Sequence, residues 1–277
     1  MSNAIGDYLR ARRERVRPED VGLTDAGRRR VTGLRREEVA MLAGISSDYY
    51  IRLEQGRERH PSEQVLDALS RALQLDADAT EHLHRLAAPR PARRAARRAP
   101  ERVPEGVAML IDGWDSTPAF VSGRYMDVLA ANRMATALIP ICRVGTNIVR
   151  AAFLDPAVGE FYGDWERATE SAVASLRALV APDLDDPRLA ELVGELSVRS
   201  ERFRELWGRH DVRPKVPGQI TEVNHPLLGP LRLRSETLAI GEGSGLSLIV
   251  YHAEPGSESA SKLALLASMA ADVSGSR

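Results

Sequence analysis

Apolar residues recur at helical spacing through the first third of the chain. They disappear across residues 88–106, then return in a mixed pattern that ends in period-two alternation. Five short helices are expected before the gap. Ile5, Leu9 and the stem of Arg12 form the inner stripe of the first. Arg35 to Leu42 is the second and Ser46 to Gln55 the third. Ser62 caps a fourth, in which Val65, Leu66, Leu69, Ala72 and Leu73 share a face. Asp78 to Ala87 is the fifth, with Leu83 and Leu86 inward. Short helices joined by short turns predict a compact all-α domain over residues 1–88.

The gap contains Pro89, Pro91, Pro100 and Pro104 among alanines and arginines, so residues 89–104 read as an extended linker. Its Arg93, Arg94, Arg97 and Arg98 could touch phosphates or simply solvate a tether. From residue 105 to 277 a second domain is expected. Ala119–Ser122 and Asp127–Ala131 read as short strands around a turn at Gly123, and Asn132 caps a helix that Pro140 stops. Asp164 to Val180 is a long amphipathic helix with Trp165, Ala168, Ala172, Leu176 and Leu179 on one stripe. Asp186 caps the next helix, and Arg202 to Gly208 forms another. Ile220–Asn224, Leu231–Ile240 and Leu246–Ala253 alternate as strands, and Ser259 to Val273 closes with a helix. This half is therefore α+β with an antiparallel sheet. In the closing helix, Leu263, Leu266 and Met269 share a side that could serve a dimer or pack on its own domain.

Composition adds a charge asymmetry. The net charge of −1 divides into +5 for residues 1–100 (20 Arg against 15 acidic) and −6 for the rest. A basic front suits a polyanion. The lone Cys142 excludes intrachain disulfides and a cysteine metal cluster, so it reads as a small buried hydrophobe. The first residues lack the apolar core of a signal peptide, and no apolar run reaches membrane length. A cytoplasmic protein without membrane partners is expected. His82 and His84, two apart on a helix, point different ways and make no metal pair. Gly241 to Gly245 resembles a phosphate loop but sits between strands, so it reads as a hairpin turn. No nucleophile elbow accompanies the serines. No enzyme activity and no cofactor are expected.

The stretch from Arg36 to Gly56 carries the clearest chemistry. Ala40 is the small residue a close helix crossing needs, and Gly44 tolerates the positive φ of a tight turn. Ser46 can N-cap the second helix. Val39, Ile45, Tyr50 and Leu53 are spaced to face a core, which leaves Ser47, Asp48, Tyr49 and Arg52 outward, where a recognition helix reads base edges. This pattern resembles the lambda-repressor-like (XRE) helix-turn-helix family, which implies double-stranded DNA as partner. The family often has Gln at the first motif position, contacting phosphate, where this chain has Arg36. The connection from Pro18 to Leu34 is also longer than usual. Its Arg28, Arg29 and Arg30, with Arg35 and Arg36, make a phosphate-clamp candidate, and Arg57 could hold the next phosphate. A unit of this size reads DNA best as a homodimer on a palindromic operator.

The second half contains Phe153-Leu-Asp155-Pro156, Tyr162-Gly-Asp164-Trp165, Asp185-Asp-Pro187-Arg188-Leu, Phe203-Arg-Glu-Leu-Trp207, His210-Asp-Val, His225-Pro226 and Tyr251-His-Ala-Glu-Pro-Gly256. From about Pro104 onward it resembles the MmyB-like ligand-binding domain of actinobacterial XRE regulators. That resemblance implies a PAS-like fold, a sheet cradling a pocket roofed by helices, and a small apolar, fatty-acid-like effector. From the residues themselves, the aromatic side chains Tyr125, Phe153, Tyr162, Trp165, Phe203, Trp207 and Tyr251 are pocket candidates. Arg199, His210 and His225 could orient a carboxylate or carbonyl. Two other readings stay open: a DNA-tethered enzyme on a small metabolite, and a ligand-free protein-interaction module.

Overall fold

The computed structural model describes residues 3–23, 31–58, 60–88, 101–139, 141–180, 186–212, 218–241 and 244–275. The N-terminal half is all helix: α1 (Ala4–Arg13), α2 (Arg36–Ala43), α3 (Ser47–Glu54), α4 (Glu63–Ala72) and α5 (Ala77–Ala87), with a 3-10 turn at Pro18–Val21 inside the long α1–α2 connection. Local chemistry sets the helix ends. The Ser46, Ser62 and Asp76 side chains accept the N–H groups of Tyr49, Val65 and Ala79. Gly44 ends α2 at φ +66°, a left-handed position that strains any residue with a Cβ. Tyr8, Leu9, Leu34, Val39, Tyr50, Leu53 and Leu69 lose all their accessible surface in one core. Gly6 lets α1 meet the end of α3: a Cβ there would stand 2.3 Å from the Glu54 carbonyl oxygen.

The C-terminal half begins with α6 (Glu105–Asp112), β1 (Ala119–Ser122) and β2 (Val128–Ala131). Six helices follow: α7 (Arg133–Leu138), α8 (Ile148–Leu154), α9 (Pro156–Phe161), α10 (Trp165–Val180), α11 (Pro187–Arg199) and α12 (Glu201–Gly208). Then come β3 (Gln219–His225), β4 (Gly229–Ile240), β5 (Leu246–His252) and α13 (Glu258–Gly275). The five strands form one antiparallel sheet in the order β2-β1-β5-β4-β3. This is the α+β, PAS-like arrangement that was expected. Pleating gives the sheet two different faces. Phe120, Val223, Leu231, Leu233 and Ile249 face α7, α9 and α13. Ala119, Val121, Leu246 and Leu248 face Ile111 of α6. A third core, around Val173, Leu176, Leu196, Phe203 and Leu206, binds α8, α10, α11 and α12 together.

Three features depart from the sequence reading. Helices α6, α8 and α9 were not anticipated. Residues 101–104, expected to be linker, are tied to the sheet domain: Glu101 accepts the Arg124 backbone N–H at 3.1 Å and pairs with its guanidinium at 3.3 Å. On α10 the buried positions are Thr169, Val180 and the run from Val173 to Ala178, and of the expected stripe only Leu176 is among them. Of the two roles left open for α13, Leu263 and Leu266 take packing into their own domain, while Leu265 and Met269 are its large exposed apolar residues among the described side chains. Among the described residues no helix is long and apolar enough to cross a membrane.

Candidate DNA interface and effector site

The turn between α2 and α3 holds α3 across the domain face, as a helix-turn-helix requires. Asp48 and Arg52 are exposed, and Ser47 and Tyr49 are half-buried. Tyr49 leans on the core, and the Arg52 guanidinium lies 5.6 Å from its ring centroid, which pre-sets that arginine on the outer face. Arg35, at the start of α2, donates its backbone N–H to the Glu38 carboxylate at 2.6 Å and leaves its side chain in solvent. Arg57 is exposed just past α3. Among the described residues, no carboxylate pairs with the side chains of Arg35, Arg52 or Arg57, so their charges are not neutralised within the domain. Arg28, Arg29 and Arg30 lie outside the described residues.

Arg36 behaves differently from the phosphate contact expected of it. Its guanidinium holds Glu54, with both bonds at 3.1 Å. Glu54, which the sequence reading did not single out, is the centre of a brace. Its carboxylate has no accessible surface and also receives Arg13 at 2.9 and 3.2 Å and Arg10 at 3.3 Å. Burial alone would raise its pKa, but the bonds from Arg13 and Arg36 outweigh it and hold the carboxyl below its usual value. Arg13 additionally donates to the Leu34 carbonyl at 2.9 Å. One buried anion thus fastens α1 and α2 to the C-terminal end of the reading helix. A Glu at the end of that helix, in a half whose cations are all Arg, was the only available signal.

The ten residues proposed for ligand binding do not converge on one place. Tyr125, Phe153, Phe203 and Trp207 belong to the helical core, where Phe203 stacks on Trp207 at 5.7 Å and meets Phe153 edge-on at 5.2 Å. Trp165 donates its indole N–H to the Ala152 carbonyl at 2.9 Å and lies under Arg202. Arg199 is exposed and pairs with Glu195 along its own helix. His225 is fully used by the fold: Nδ1 accepts from Leu227 and Leu228, so Nε2 carries the proton and donates to the Ala137 carbonyl at 3.0 Å. His210 sits at the contact between the two halves.

Tyr162 and Tyr251 share the sheet core with Phe120, Phe161, Cys142, Leu138 and Leu263. Burial pushes both phenols well above their usual pKa, and each also feels the Cys142 thiol. Neither hydroxyl has a hydrogen-bond partner among the described residues, and both rings keep some accessible surface although they lie deep in the domain. Deep polar atoms are normally paired.

The family profile of a helix-turn-helix domain matches residues 4–83. That of the MmyB-like transcription regulator ligand-binding domain matches residues 103–266. No curated protein gives a match. With a DNA-reading helix pair in one half and a ligand-binding profile over more than half of the chain, this protein belongs to the MmyB-like transcription regulators.

Proposed function

We propose that this regulator reads its operator through Ser47, Asp48, Tyr49 and Arg52, steadied on the backbone by Arg35 and Arg57. It answers to a small apolar molecule whose polar head lies between Tyr162 and Tyr251. The observation that carries the effector reading is the pair of unpartnered phenols in an otherwise apolar core. A long apolar body against Leu138, Ile249 and Leu263, with one oxygen meeting these hydroxyls, matches the chemistry of that space. Two copies bound one helical turn apart would give a palindromic operator. The effector acts by favouring one arrangement of the DNA-binding units over another, since only differential affinity shifts such an equilibrium.

Two measurements test the reading. Arg52→Ala should cost about 1–3 kcal/mol at preferred operator sequences and flatten the ranking among sequences. Arg57→Ala should weaken all sequences alike and reduce the salt slope by about one unit. Equal losses of both kinds in both variants would remove the assignment of α3 as the reading helix. For the effector, Tyr162→Phe and Tyr251→Phe should reduce the amount of apolar ligand co-purifying with the protein in native mass spectrometry. The melting temperature should stay the same or rise, because neither hydroxyl forms a bond that the fold would lose. A clear fall in melting temperature with ligand occupancy unchanged would make the phenols structural.

A further inference from the structure

The two halves of the chain meet through α1 and α5 on one side and α10, α11 and the end of α12 on the other. Arg12 donates to the His210 carbonyl at 3.4 Å and pairs with Asp211 at 3.5 Å, and Arg15 also binds Asp211. Ala178 and Val212 join the core of the helical half. Between these contacts lies a cavity of about 440 Å3, within the size range of small-molecule sites. Arg177, His82 and His210 line it with Leu86, Val193 and Trp207. Asp7 and Glu14 border it from α1, where both are exposed.

The polar groups of this cavity are unbalanced. Arg177 is only 3% exposed. It donates to the Trp207 carbonyl and, at 3.1 Å, to Nδ1 of His210, and its guanidinium carbon lies 4.0 Å from the centroid of the Trp207 ring. Among the described residues no carboxylate lies in ion-pair reach of it, and its Nε has no hydrogen-bond partner. His82, 1% exposed, likewise has Nδ1 without a partner. Arg12 and Arg85 each carry an unpartnered Nε close by. Buried guanidinium groups are ordinarily matched by an anion. Here the unpartnered Nε of the buried Arg177 and Nδ1 of His82 belong to the wall of a space whose inner sides are aliphatic carbon and an indole, with Arg10 and the exposed carboxylates of Asp7 and Glu14 on its α1 side.

The geometry points to a second binding site at this junction, for a small organic carboxylate. Its oxygens would be taken by Arg177 with His82 and His210 beside it, and its apolar part would lie against Leu86, Val193 and Trp207. Such a ligand touches α5 of the DNA-binding half together with α10, α11 and α12 of the sensor half. It therefore binds the docked arrangement better than any separated one and holds the two halves together. The site stands apart from the effector site proposed between Tyr162 and Tyr251 and does not depend on that reading.

Calorimetric titration of the full-length protein with phenylacetate, and with phenylacetamide as its uncharged twin, tests the site. Phenylacetate should bind saturably and the amide at least about tenfold more weakly, the size of one charge-assisted hydrogen bond. Arg177→Gln should lose about tenfold or more of the carboxylate affinity. Arg177 is buried, so Arg177→Gln reads docking and binding together. Ala190→Trp therefore provides an independent arm: Ala190 is an exposed residue that lines the cavity, and the indole should block binding without changing the thermal melt. Tyr162→Phe/Tyr251→Phe should bind phenylacetate as the parent does. The site is overturned by no saturable binding at millimolar phenylacetate, by equal binding of the amide, or by unchanged binding in Arg177→Gln and Ala190→Trp. Binding lost only in the tyrosine variant would place the ligand in the sheet core instead and equally overturn the junction site.

Discussion

Glu54→Ala is expected to unfold or nearly unfold the DNA-binding half, at a cost of about 3–5 kcal/mol. The carboxylate has no accessible surface, and three arginines converge on it. Their burial decides the size of the effect. Arg10 and Arg36 are about half-exposed, with side chains at 46% and 44%, and can turn to water when the anion is gone. Arg13, at 8%, cannot. Removing Glu54 leaves that guanidinium buried with the Leu34 carbonyl as its remaining close acceptor, besides the solvent-side Glu14 at 3.6 Å. Glu54→Gln, which keeps one acceptor and the shape, should cost less. The apolar pair Glu54→Leu with Arg13→Met should recover much of the loss, because it removes both buried charges together. Denaturant unfolding followed by circular dichroism measures all three. A Glu54→Ala protein within about 1 kcal/mol of the parent would show that the brace contributes little. The functional consequence follows from the topology of the brace. It ties the C-terminal end of α3 to α1 and α2, so operator affinity should fall with stability even though Glu54 does not lie on the reading face.

What the sequence made legible, and what it hid, divides along the range of the interaction. The helix-turn-helix was readable because its determinants are local: a serine cap at Ser46, a left-handed glycine at Gly44, a small residue at Ala40 and apolar spacing between them. The strands were readable for the same reason, since pleating maps directly onto alternation. Helices α8 and α9 were missed because they are seven and six residues long, too short to show a period, and Asp155 alone separates them, with Pro156 opening the second. α6 was missed because its apolar residues divide between Ile111, which packs on the sheet, and the exposed Met109 and Leu110. Arg177 and Glu54 were passed over, and the α10 stripe was misplaced, for a shared reason. A charged residue mid-helix or at a helix end reads as solvated unless its surroundings are known. Those surroundings come from residues 30 or more positions away for Arg177 and 18 to 44 away for Glu54. Aromatic content could flag a sensor half but could not distribute its rings. Most of them proved to be core, and among the described residues no hydrogen bond reaches the hydroxyls of Tyr162 and Tyr251.

Acidification from pH 7.5 to pH 5 should lower the melting temperature by about 5–10 °C, through the histidines at the junction. Burial, with Arg85, Arg177 and Arg12 around it, drags His82 down to about 3. Burial and the guanidinium groups of Arg177 and Arg12 do the same to His210, and Asp211 opposes them only weakly. A histidine whose folded pKa lies below its unfolded value of about 6.5 binds fewer protons in the native state between those two values. Its stabilising contribution is complete above about pH 6.5 and shrinks steadily as pH falls toward 3. For His82 the loss at pH 5 is up to about 2 kcal/mol, and His210, which is partly exposed, adds less. Glu54 does not confuse the measurement, because a depressed carboxyl loses its contribution only below its ordinary value of 4.5. The decisive variant is His82→Phe. It keeps the ring that meets Tyr8 edge-on at 5.1 Å and removes the titrating nitrogens, one of which has no partner to lose. Its melting temperature should change about half as much over the same interval. If parent and variant lose stability in parallel between pH 7.5 and 5, the junction histidines are not the groups that take up the protons.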